Sequence, residues 1–142
     1  MRLPLRQNIK QRREHDIVLS ESDHARLTGL AESSLDRLPE IAEELLSEME
    51  RAKIKPLGRI PANVIRMGSK VTFRGDDGEV KIVTLVYPGK ADIAEGKVSI
   101  LTPVGAALIG LREGQSVAWT SRAGRRLEIE IVAVEAPLDG VN

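Results

Sequence analysis

Between residues 20 and 55 the apolar positions fall at helical spacing, and beyond residue 64 they alternate with polar ones. The first pattern predicts helices with one buried stripe, the second half-buried strands. Leu27, Leu30, Ala31 and Leu35 mark the stripe of a first helix. Its start falls at Ser20 or Ser22, because Ser20-Glu21-Ser22-Asp23 sets a carboxylate three positions after a hydroxyl, as in a capping box. Gly29 weakens this helix by about 1 kcal/mol relative to alanine without vetoing it. Ser33-Ser34 and Pro39 bracket a turn, and Pro39 suits the first turn of a second helix, where its missing N–H costs nothing. Ile41, Leu45, Met49 and Ala52 form the second stripe. Glu40, Glu43 and Glu44 near its start and Arg51, Lys53 and Lys55 near its end complement the helix dipole. Lys55-Pro56-Leu57-Gly58 stops it. Two stripes across a short turn predict an antiparallel helical hairpin with arms of about 14 residues, about 21 Å long. So short a hairpin has little core of its own and is expected to lean on the rest of the chain.

Ile17-Val18-Leu19, ahead of the hairpin, reads as a short strand or a hydrophobic staple. In the second half, Lys70 to Arg74 and Glu79 to Tyr87 read as two strands joined by the turn Gly75-Asp76-Asp77-Gly78. Val98 to Leu101 is a short third strand, and Ser116 to Thr120 and Arg126 to Val134 are two more. The uncharged run from Pro103 to Gly110 reads as a short helical turn. The expected fold class is α+β: a basic N-terminal tail over residues 1–19, a helical hairpin over 20–56, and a small antiparallel sheet with one short helix over 64–136.

Composition narrows the chemistry. The 142 residues contain no cysteine, which removes thiol nucleophiles, thiolate zinc sites and disulfides. Two histidines, His15 and His24, are too few for most metal hydrolases and follow no nucleophile motif. His24 reads as an exposed helix residue and Trp119 as a core or half-buried one. Phe73, Tyr87 and Trp119 are the only aromatic residues, too few for a base-stacking platform or an aromatic pocket. No phosphate-binding loop occurs, and no run of about 18 apolar residues suggests a membrane span. The basic N-terminus is followed by no apolar run, so a cytoplasmic protein without membrane contact is expected. No metal, cofactor or catalytic residue is expected.

Net charge is zero but segregated. Residues 1–16 carry +3, residues 17–50 carry −7, residues 51–74 carry +7 and residues 75–142 carry −3. An acidic hairpin is thus joined to the body by a basic collar, a pattern that orients docking on a partner. Glu32, Asp36 and Glu40, spaced by four, flank the hairpin turn. They read as a solvated acidic face, or as carboxylates that hold Mg²⁺ inside a partner's active site. The run Pro103 to Gly110 reads as core over the sheet, or as the apolar centre of a docking surface.

Ala91-Asp92-Ile93, Gly96, Ser99, Pro103, Ala107-Leu108-Ile109-Gly110 and Gly114 stand at spacings that resemble the C-terminal domain of the bacterial Gre transcript-cleavage factors. Val83 to Pro88 and Pro103 to Leu108 resemble more closely one Gre-like branch, the regulators of nucleoside diphosphate kinase. The resemblance spans residues 17–135 and implies an antiparallel coiled-coil hairpin on an FKBP-like domain. It also implies a partner, bacterial RNA polymerase. The C-terminal domain would dock near the secondary channel through Ser99, Pro103, Val104, Ala107, Leu108, Ile109 and Gly110, with the hairpin pointing into the channel. Cleavage factors carry an Asp and a Glu three apart at the tip of a long coil. Here Asp36 is followed three residues later by Pro39, the glutamate stands at Glu40, and the coil is short. The expected function is therefore a non-enzymatic regulator of elongation that competes with Gre-type factors, with nucleic acid contact at most indirect. One alternative is a cleavage stimulator acting through tip carboxylates, and another is direct binding to a metabolic enzyme. A monomer is expected. Prolyl isomerase activity is not, because three scattered aromatics build no such pocket.

Overall fold

The computed structural model describes residues 16–120 and 123–137, with the side chains of residues 119 and 120 outside that description. The predicted basic tail, Asp16 to Leu19 apart, and the predicted placement of Trp119 therefore lie outside the described residues. Among the described residues strand β1 (Val18–Ser20) comes first, followed by helices α1 (Glu21–Ser33) and α2 (Pro39–Arg51). Strand β2 (Lys53–Lys55) comes next, then β3 (Lys70–Gly75) and β4 (Val80–Val86). Strand β5 (Lys97–Ser99), helix α3 (Pro103–Leu108), β6 (Ser116–Thr120) and β7 (Arg126–Glu135) complete the order.

The helical hairpin forms as predicted. The Ser20 hydroxyl caps α1 by accepting the Asp23 N–H at 3.1 Å, and Pro39 occupies the first turn of α2. Each arm has 13 residues, about 20 Å at 1.5 Å per residue. Leu27, Ala31, Ile41, Leu45 and Met49 are buried, but Leu35 is not: α1 ends at Ser33, so Leu35 sits in the turn and faces water. Helix α2 also ends earlier than Lys55. Ala52 turns to extended backbone, and Lys53–Lys55 pairs in parallel with Val18–Ser20. Ile17 and Leu19 are fully buried, which makes residues 17–19 part of the core rather than of a tail.

The main sheet has five strands in the order β5-β4-β3-β7-β6. It is mixed rather than wholly antiparallel, because β5 runs parallel to β4. The 3-10 turns at Pro88–Lys90 and Ile93–Glu95 carry the chain back along β4 to Thr84, where β5 begins with Lys97, which a tight β-hairpin turn cannot do. Strand β7 slips register between its pairings to Thr72 and Phe73, leaving Val132 as the extra, outward residue. This bulge resets the alternation, so that Ile129, Ile131 and then Val134 all serve the inner face.

One apolar core joins the two halves. Leu27, Ala31, Leu45 and Met49 of the helical hairpin share it with Val71, Phe73, Leu85 and Ile131 of the sheet and with Leu108 and Ile109. No helix among the described residues is long and apolar enough to cross a membrane.

Candidate functional site

Two places carry the residues with candidate roles. The first is the cap formed by β5, α3 and the turn between them. Ser99 Oγ accepts the Leu101 N–H at 2.9 Å. Thr102 Oγ1 donates to the Ser99 carbonyl at 2.7 Å and accepts the Gly105 N–H at 3.1 Å, capping α3. Pro103 stands at its first position. The backbone of Gly105 lies against the Ser99 carbonyl so closely that a Cβ would overlap it. These bonds fold Ser99 to Val104 into one rigid turn.

The turn sorts the predicted docking residues. Ser99, Pro103 and Val104 are half-exposed, with Leu101 and Thr102 beside them. Ala107, Leu108, Ile109 and Gly110 are buried, the first three with no exposed surface. The side chains of Ala107, Leu108 and Ile109 fill the core between sheet and hairpin, so these residues can support a docking surface but cannot be its contacts. An uncharged eight-residue run is compatible with either placement, and only the packing of α3 against the sheet decides it.

The second place is the tip of the helical hairpin. Ser33 Oγ donates to the Leu30 carbonyl at 3.0 Å, and the Leu38 N–H bonds the Ser34 carbonyl at 2.8 Å, which closes the turn. Glu32, Asp36 and Glu40 are all exposed around it. Among the described residues no group of three or more His, Asp or Glu side chains could hold a metal ion. The tip therefore presents separate solvated carboxylates and gathers no site by itself.

A third cluster has no local signal in the sequence. Tyr87, just beyond β4, points its hydroxyl at Asp23 Oδ1 across 3.4 Å, long for such a bond. The Arg26 guanidinium lies 4.0 Å from the Tyr87 ring centroid, within cation–π range. Burial raises the Asp23 pKa, against a hydrogen bond from the Met67 backbone and the charges of Arg66 and Arg26. Burial first, then the Asp23 charge, pushes the Tyr87 hydroxyl well above the ordinary tyrosine value, so it keeps its proton. His24, expected to be exposed, is half-buried, with Nε2 2.9 Å from the Met49 carbonyl. Asp23 and Tyr87 stand 64 residues apart in sequence, and no spacing rule connects them.

Residues 60–136 match the family model described as transcription elongation factor, GreA/GreB, C-term, and residues 15–54 match the one described as Rnk N-terminus. The chain belongs to the GreA/GreB family of transcription elongation factors. Within it, the chain is 37% identical over 120 residues to the regulator of nucleoside diphosphate kinase of Escherichia coli (strain K12), spanning 84% of this chain and 88% of that protein. It is 34% identical over 89 residues to the transcription elongation factor GreA of Nitratidesulfovibrio vulgaris, spanning 62% of this chain and 55% of that protein. A solved structure titled prokaryotic transcription elongation factor GreA/GreB from Nitrosomonas europaea superposes with a TM-score of 0.71 at 37% identity, covering 85% of this chain and 98% of that one. These relatives are named as regulators and elongation factors, not as enzymes.

Proposed function

We propose that this protein regulates transcription elongation by binding bacterial RNA polymerase near its secondary channel, where it competes with Gre-type factors without provoking transcript cleavage. Family membership supports the partner. The observation that carries the mechanism is the short hairpin: its arms of 13 residues, about 20 Å long, end in exposed carboxylates. Such a tip suits the channel mouth better than a buried catalytic centre.

The rigid turn supplies the docking surface through Ser99, Pro103 and Val104, backed by buried Ala107, Leu108, Ile109 and Gly110. Lys55 and Arg59 of the exposed collar orient the encounter toward an acidic surface. Residues 20–56 and 64–136 act as two modules, the second FKBP-like, in a cytoplasmic monomer whose nucleic acid contact is indirect. Competition is mass action at a shared site, so its extent follows the ratio of concentration to affinity.

The test is binding to purified bacterial core RNA polymerase, with and without a Gre-type competitor. Saturable binding that the competitor displaces is the expected result. Absence of binding at micromolar concentrations overturns the proposal.

A further inference from the structure

The first turn of α1 is more than a helix start. Ser20 caps it, His24 ties it to the end of α2 through the Met49 carbonyl, and Asp23 and Arg26 reach the sheet body at Tyr87. The body side is built to be rigid. The Gly68 N–H bonds the Leu85 carbonyl at 2.7 Å, the Leu85 N–H bonds the Ser69 carbonyl at 3.0 Å, and the Arg66 N–H bonds Ser69 Oγ at 2.8 Å. Those bonds fasten the loop carrying Arg66 and Met67 to the end of β4, next to Tyr87. One carboxylate of the hairpin thus meets two fixed elements of the body, while its neighbour His24 holds the second arm.

Leu27, Ala31, Leu45 and Met49 of the hairpin also pack against the sheet core. Apolar burial holds surfaces together but is non-directional. Polar groups with fixed partners select one arrangement among those that bury similar area. We propose that Asp23, Arg26 and Tyr87 form a polar joint that sets the direction in which the helical hairpin leaves the sheet body. They are positioning residues, and they act on the Glu32, Asp36 and Glu40 tip through the stiff arms. The joint deepens the channel-mouth reading, since the angle at the joint decides where a tip about 20 Å away lies. It exists in the free protein, however, and its test needs no polymerase.

The chain has no cysteine, so Glu40→Cys with Lys81→Cys places one spin label near the tip and one on the exposed side of β4. Pulsed dipolar spectroscopy then reads the tip-to-body distance. One narrow distribution is expected in the parent. Arg26→Ala with Tyr87→Phe is expected to broaden or shift it, with helix and strand content unchanged by circular dichroism. Tyr87→Phe alone, which keeps the ring and its packing, is the milder variant and broadens it less. Equally narrow, unshifted distributions in both variants overturn the joint, even if stability falls. A second readout uses the single tyrosine of the chain. Asp23→Asn is expected to lower the pH at which tyrosinate absorbance appears. An unchanged titration means that Asp23 does not face Tyr87 and likewise overturns the proposal.

Discussion

Gly110 and Ile17 occupy each other's space: the Ile17 side chain fills the position that a Cβ on Gly110 would take, at a residue whose φ is +81°. The contact joins the end of α3 to the residue that leads into β1, two segments distant along the chain. The Gly110 N–H also bonds the Ile65 carbonyl at 3.0 Å, so the backbone there cannot swing away. Gly110→Ala adds left-handed strain of about 1–2 kcal/mol and overpacking of about 1–3 kcal/mol. A loss of about 2–5 kcal/mol in urea unfolding is therefore expected. Gly78→Ala, at φ +85° with nothing within 4 Å of the added Cβ, is the control that feels strain alone. Equal losses in the two variants would show that Ile17 is not the obstacle.

The docking turn separates stability from binding. Leu108 is fully buried and Val104 half-exposed. Leu108→Ala is expected to cost about 2–5 kcal/mol of stability. Val104→Gln keeps an aliphatic stem over the core, costs about 1 kcal/mol or less, and weakens polymerase binding by about tenfold, roughly 1.4 kcal/mol. Unfolding midpoints and polymerase affinities of the two variants check the split. Unaltered affinity in the folded Val104→Gln variant moves the docking surface elsewhere.

The tip carboxylates distinguish exclusion from assisted cleavage. Asp36→Ala with Glu40→Ala removes two exposed carboxylates from the hairpin tip. Competition with a Gre-type factor is expected to survive within about twofold, less than 0.5 kcal/mol. Neither protein is expected to speed cleavage of backtracked RNA. Cleavage by the parent that disappears in the variant would instead establish the stimulator.

Asp23 also leaves a mark on the pH dependence of stability. Its pKa is raised in the folded protein from the ordinary 3.8, chiefly by burial. The folded state therefore favours its protonated form. Its contribution to stability is fully present below the ordinary value and is lost as pH rises through the raised one. Asp23→Asn has no such titration. The stability of the parent relative to this variant is expected to increase as pH falls through that window. Urea midpoints of both proteins across the acidic range measure the difference, and parallel profiles refute it.

Local chemistry makes several elements legible in the sequence. Ser20 and Pro39 announce helix starts because capping and a missing N–H act within one turn. Gly75-Asp76-Asp77-Gly78 announces the turn between β3 and β4, whose pairing the alternation on either side then specifies. The glycine, serine and proline spacing from Ala91 to Gly114 carries the family resemblance, and the family match bears it out. The same spacing cannot say which of those residues face water. Ala107 and Val104 are equally apolar in sequence, and their different exposure follows only from how α3 lies on the sheet.

What the sequence by itself determined is therefore whatever depends on near neighbours: the two helices, most strands, the turns, the charge blocks and the family. Tertiary structure alone decided the parallel pairing of β1 with β2 and of β5 with β4. It also decided the bulge at Val132, the burial of Leu108 and Ile109, and the meeting of Asp23 with Tyr87. The physical reason is common to all of them. Each depends on contacts between segments distant along the chain, whose free energy exists only once a shared core has brought them together, and no periodicity of 2 or 3.6 residues records such a partner.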